Sequence, residues 1–195
     1  MHQPIRPLFL AALFLAVTAV RADAQQPATA HAAHAQPAGL TKDLLEDIGQ
    51  VERKMLALAG AIPEDKFGWR PGEGVRSVSE VVMHVASDNY LIPAALGFPA
   101  DAATGIIGSD YKTAVTFEKR TVTKAQAIAE LEKSFAFLKQ SLGATASAQL
   151  TSSVSLFGQP FTMQQGWLMA TTHLHEHLGQ LISYARTNGV KPPWG

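Results

Sequence analysis

Residues 162–189 read TMQQGWLMATTHLHEHLGQLISYARTNG, and this stretch decides the fold. Trp167, Thr171, Leu174, Leu178, Leu181 and Ala185 recur every three or four residues, the spacing that lays one apolar stripe along a helix. Thr162 and Gln165 form a capping box at the start, and Gly189 supplies a stop at the end. The pattern predicts a helix from Thr162 to Asn188. At the usual rise it would span about 40 Å, and a single apolar stripe of that length is not stable alone in water. It needs partners of similar length.

The rest of the chain supplies three. From Thr41 to Ala59, Leu44, Ile48, Val51, Met55 and Leu58 alternate by four and three, with Gly60 following as a stop. From Ser77 to Ile92, a Ser77–Glu80 capping box precedes Val78, Val81, Val82 and Val85, and Pro93 is expected to end or kink the helix. From Thr123 to Leu142 the box is Thr123 with Gln126, the seam is Ile128, Leu131, Phe135, Leu138 and Leu142, and Gly143 stops it. Four seams packed about a common axis bury one another. The expected fold class is therefore all-α, a four-helix bundle over residues 40–195, with a long connection from Leu96 to Val122 between the second and third helices. A crossing that long is expected to sit over one end of the bundle and shape a site there. No strand pattern is strong enough to add a sheet.

Upstream of the bundle the character changes. His2 and Arg6 give a weakly basic start, Pro7 to Val20 form an apolar run, and Ala22-Asp23-Ala24 has the form of a cleavage site. The run is short for a bilayer span, so residues 1–24 read as an export signal and not as a retained anchor. Residues 25–39, QQPATAHAAHAQPAG, have no apolar periodicity and read as a flexible linker. The expected destination is the periplasm or the cell exterior, with no stable membrane anchor once the signal is cleaved.

Composition narrows the chemistry. Of 195 residues, 16 are basic and 16 acidic, so there is no cationic excess to recruit nucleic acid. Cysteine is absent, which excludes disulfides, thiolate metal sites and a thiol nucleophile. Any metal would have to be held by imidazole and carboxylate.

Three histidines crowd into THLHEHLGQ. On a helix His173 and His177 lie one turn apart on the same face, about 5–6 Å between Cβ atoms. His175 is turned roughly 200° from His173 and points elsewhere. The pair lies one step to the side of the core stripe, so it faces inward at the margin of the core. His84 holds a similar place between Val81 and Val85. Three neutral imidazoles on facing helices suit Zn²⁺, Ni²⁺ or Fe²⁺, zinc and nickel first, and leave a coordination position for water or substrate. Asp88, one turn after His84, can accept from an imidazole or carry a proton. Glu80 is already committed to a capping box. His173 to His177 also match H-x-x-E-H, the inverted zincin signature, but none of the 18 residues after His177 is acidic. No G-x-S-x-G elbow occurs.

The stretch IPEDKFGWRPGEGVRSVSEVVMHVA, ending just past His84, resembles the approach to the first histidine of the DinB/YfiT-like family. THLHEHLGQLISYARTNG resembles that family's closing H-x-x-x-H-x-G-Q block. The resemblance runs from about Leu40 to Trp194. It implies a four-helix bundle, often a homodimer, with a divalent metal held by His84, His173 and His177. Gly179, Gln180 and Arg186 match further family positions. Leu178 stands where a basic residue is common, and Glu176 where a second histidine is. Relatives include thiol-dependent transferases and hydrolase-like members, so the expected function is a metal-dependent hydrolase or transferase acting on an unidentified small molecule. The alternatives are a non-catalytic protein that binds metal or a small ligand, and a metal-free structural bundle.

Overall fold

The computed structural model describes residues 39–195; the expected signal, and the expected linker up to its last residue, lie outside the described residues. Among the described residues there are five α-helices: α1 (Leu40–Ala61), α2 (Val78–Ala95), α3 (Tyr111–Glu118), α4 (Lys124–Ala144) and α5 (Met163–Thr187). A hairpin of β1 (Ser153–Leu156) and β2 (Gln159–Thr162) leads into α5. The four long helices are those the apolar seams call for, and all three capping boxes form. Ser77 Oγ accepts the Glu80 N–H while the Glu80 carboxylate accepts the Ser77 N–H, and Thr123–Gln126 and Thr162–Gln165 repeat the exchange. Each box satisfies N–H groups that the first turn would otherwise leave unpaired.

The long helices form a ring in which α1 packs on α4 and α5, and α2 packs on the same two. Helices α1 and α2 therefore lie across the bundle from each other, and α2 and α5 run side by side. The core is continuous, from Ile48, Met55 and Leu58 through Leu131, Phe135 and Leu138 to Trp167, all with essentially no exposure. Helix α2 is enclosed all round: every residue from Val81 to Pro93 is buried. Its inner sides meet α4 and α5, and α3 and the hairpin cover the outside.

Several expectations need correction. The long connection is not a bare loop, because it contains α3. That helix has only eight residues and one small apolar edge, Ala114 and Phe117, too little to register as periodicity. The hairpin was not expected either. Its strands have four residues each, Pro160 sits within β2, and Phe157 and Gly158 turn the chain with φ of +53° and +76°. Helix α2 passes through Pro93 to Ala95 and is closed off by Gly97, whose φ is +100°. There Gly97 N–H donates to Ala94 O at 3.2 Å and Phe98 N–H to Pro93 O at 2.9 Å, a Schellman closure. Gly60 and Gly143 do not cap; each lies inside its helix, since a glycine stops a helix only where the backbone turns left-handed. In α4, Ala127 takes the buried seam position, and Ile128 is only partly buried. Among the described residues no helix is long and apolar enough to cross a membrane.

Candidate metal centre

Because α2 and α5 are neighbours in the ring, the middle of one faces the middle of the other. His84 projects from α2, and His173 and His177 project from successive turns of α5. Their ring centroids lie 5.2 Å (84–173), 4.6 Å (84–177) and 4.4 Å (173–177) apart. One ligand nitrogen from each falls within 4.8 Å of the others. The three histidines chosen from the sequence are thus brought together. His175 is not part of the group: it is exposed, with Nε2 2.7 Å from Asp47 Oδ2 on α1. Glu176 is largely exposed, with Oε2 3.9 Å from His173 Nδ1, and does not line the cleft beside the rings.

Separate neighbours orient two of the rings. Glu118, at the end of α3, lies with Oε2 3.0 Å from His84 Nδ1. A carboxylate can only accept, so Nδ1 donates, which in the neutral ring leaves Nε2 with its lone pair. Arg76 grips the same carboxylate through Nε and, at 3.2 Å, through Nη2. Burial opposes the Glu118 charge, but hydrogen bonds from His84 and Arg76 outweigh it and bring the carboxyl down to about 2. His177 Nδ1 lies 2.8 Å from Gln180 Oε1, and the Gln180 amide donates to the Tyr184 hydroxyl at 2.8 Å. The amide is thereby oriented with its oxygen toward the imidazole, so Nδ1 of His177 donates and its Nε2 is free. Burial pushes His177 down to about 4, with a partial offset from Gln180. At neutral pH it is an uncharged imidazole, the form that ligates metal.

His173 provides the test of fit. Its Nε2 is buried and has no hydrogen-bond partner among the described residues. Asp88 Oδ2 lies 2.9 Å from that nitrogen and 3.5 Å from His84 Nε2. The approach to His173 is nonetheless out of line for a hydrogen bond, so the short distance does not satisfy the ring. An unpaired buried polar atom costs about 1–3 kcal/mol. A cation among the three rings would satisfy that nitrogen and draw on the Asp88 carboxylate as well. The donor set of three imidazoles beside a carboxylate, with no thiolate, suits a divalent first-row metal.

The centre is accessible. A cleft of about 760 Å³ is lined by His173 and Asp88, by parts of α2 and α5, and by the hairpin and the start of α3. Glu80 has no part here: it is held by Ser77 and by Arg70 at 3.0 Å. Asp88 and Tyr184 have definite places. Asp88 sits between two rings and the cleft, and Tyr184 steadies Gln180. Sequence reasoning missed Glu118 and Arg76, while the connection it expected to shape a site does line the cleft, through Gly108, Ser109 and Tyr111. Asp110, whose side chain caps the Lys112 N–H at the start of α3, was the available signal for the helix that carries Glu118.

Comparison with known proteins gives the same architecture. The sequence model of the DinB superfamily matches residues 47–181. A DinB-like protein from Bacillus cereus ATCC 10987 superposes with a TM-score of 0.64 at 14% identity, over 78% of this chain and 95% of that one. A conserved protein from Enterococcus faecalis gives 0.63 at 18%, over 75% and 95%. YfiT from Bacillus subtilis, described as a probable metal-dependent hydrolase with an unusual four-helix bundle topology, gives 0.59 at 13%, over 81% and 93%. At these identities the likeness is one of fold. A search of curated proteins found no match.

Proposed function

This chain belongs to the DinB superfamily, and from that premise we propose that His84, His173 and His177 hold a divalent metal, Zn²⁺ or Ni²⁺, that serves hydrolysis or group transfer on a small molecule. His173 Nε2 carries this reading: a buried ring nitrogen without a partner, beside two other imidazoles and a carboxylate, at the wall of an accessible cleft. The description of YfiT as a probable metal-dependent hydrolase supports it.

A divalent ion in this position supplies Lewis-acid polarisation of a carbonyl or phosphoryl oxygen and acidifies water. The chain's own residues do the rest. Glu118 and Gln180 hold the Nδ1 protons of His84 and His177, so the rings cannot turn or change tautomer freely. Arg76 keeps Glu118 charged and in place. Asp88 Oδ2 faces the cleft side of the centre and takes up or returns a proton there. Three protein ligands leave room for a reacting group, the arrangement of a catalytic site and not a structural one. Export through the leader read at 1–24 belongs to the same proposal; the native protein then begins near Gln25, which N-terminal sequencing checks.

Elemental analysis of untagged protein tests the metal. The expected result is about one divalent ion per chain, lost in His84→Ala and in His177→Ala, with ester or amide turnover lost alongside it. Stoichiometric metal without turnover on ester, amide and thiol-conjugation panels would return the alternative, a non-catalytic binding protein. Metal or turnover surviving both substitutions would overturn the proposal.

A further inference from the structure

We infer that the cleft beside the histidines takes a substrate with an uncharged, flat apolar body, seated on an aromatic clamp in which the Tyr111 and Phe157 rings meet edge to face, with its polar end at Asp88 and His173. The polar end depends on the metal reading above; the clamp does not. The cleft, at about 760 Å³, is the size of a small-molecule pocket. Leu91 and Ile92 from α2 and Met169 from α5 give it apolar walls. Asp88 and His173 are the only acidic or basic residues in its lining among the described residues. Away from the proposed metal, an anionic tail would find no cation, since Arg76 is engaged with Glu118 and does not line the cleft. A cationic tail would find only Asp88, which already faces the rings.

Phe157 gives the second observation. It occupies the first position of the hairpin turn with φ +53°, where Asn, Asp or Gly is usual and a bulky side chain is disfavoured. Its ring gains no core burial in return, being 49% exposed. It stands edge-on to Tyr111, also 53% exposed, with centroids 6.4 Å apart, and both rings line the cleft. A backbone held against local preference to present an exposed ring at a cleft is the kind of strain that persists at ligand-contacting positions. Meeting edge to face at 85°, the two rings form an aromatic corner against which one planar group can lie.

Metal-free protein titrated with the neutral fluorophore N-phenyl-1-naphthylamine tests the clamp. Phe157→Asn keeps a residue suited to the left-handed turn and deletes the ring. It is expected to weaken probe binding by about threefold to tenfold, the range an aromatic contact supplies, with Tm unchanged or raised. Tyr111→Ala is expected to weaken binding similarly. Wild-type affinity in both variants would overturn the clamp, and so would tighter binding of the anionic analogue 1-anilinonaphthalene-8-sulfonate. A fall in Tm of Phe157→Asn with unchanged affinity would reassign the ring to packing. Because no metal is present, failure of the three histidines to bind an ion leaves a positive result standing. A metal-loaded protein indifferent to Phe157→Asn would remove the clamp and leave the metal centre intact.

Discussion

His84, His173 and His177 suit a cation because their neighbours leave nitrogens free at one point. The sharpest dependence is on Glu118, which fixes the tautomer of His84 and is itself fixed by Arg76. Glu118→Gln keeps an oxygen able to accept from Nδ1 but loses the charge that holds Arg76 and favours the imidazole proton. Such outer partners are typically worth 10–100-fold in metal affinity, and a loss of about that size is expected in competition against a chromophoric chelator. Helix content should be unchanged, because Glu118 sits at the end of a short helix and not in the core. Unaltered affinity would reduce Glu118 to a surface partner of Arg76. The three ligands were legible in the sequence because two sit at helical spacing and the third lies among the valines of another seam. Glu118 was not, since nothing local marks a carboxylate 34 residues away as the partner of His84.

At the scale of elements, boundaries and short pieces were what the sequence concealed. The four seams are long enough for periodicity to decide them, and the boxes fixed three of their starts. The ends were harder, as Gly60, Pro93 and Gly143 show. A stop depends on backbone geometry beyond the residue named. Helix α3 and the hairpin are each below the length at which a pattern becomes distinct, yet between them they carry Glu118, Tyr111 and Phe157. The placement of α3 relies on one close approach. A Cβ on Gly108 would lie 2.3 Å from the carbonyl carbon of Ala94 and 2.5 Å from the Ala95 nitrogen, so the turn before α3 packs directly on the end of α2. Gly108→Ala must push the two apart, at a cost of about 1–3 kcal/mol. The expected readout is a Tm lower by roughly 2–12 °C, together with weaker metal binding as Glu118 moves. Gly143→Ala is the control: it lies within α4 with nothing near its Cβ direction, and removing a helical glycine there should stabilise by up to about 1 kcal/mol. Equal effects from the two would mean that the Gly108 contact positions nothing.

For the whole molecule, the ring order of helices explains why a metal should stabilise the bundle without being required for it. The ligands come from α2 and α5, which already share a buried face, while the core from Ile48 to Trp167 closes independently of them. The metal-free chain should therefore remain folded, unlike a small domain whose core is its metal. What the ion adds is a cross-link between two adjacent helices and a partner for His173 Nε2. An ion that binds only the folded state adds about 2.7 kcal/mol at a free concentration one hundred times its Kd. A domain of this size shifts by about 2–4 °C per kcal/mol, so the midpoint should rise by roughly 5–11 °C on loading. Chelator should return it to the metal-free value without changing helix content. His177→Ala should abolish the shift, since the ring it removes is already neutral at working pH and positioned by Gln180. A metal-free wild type that unfolds at room temperature would show that the ion belongs to the core. A shift preserved in His177→Ala would place the ion elsewhere on the molecule.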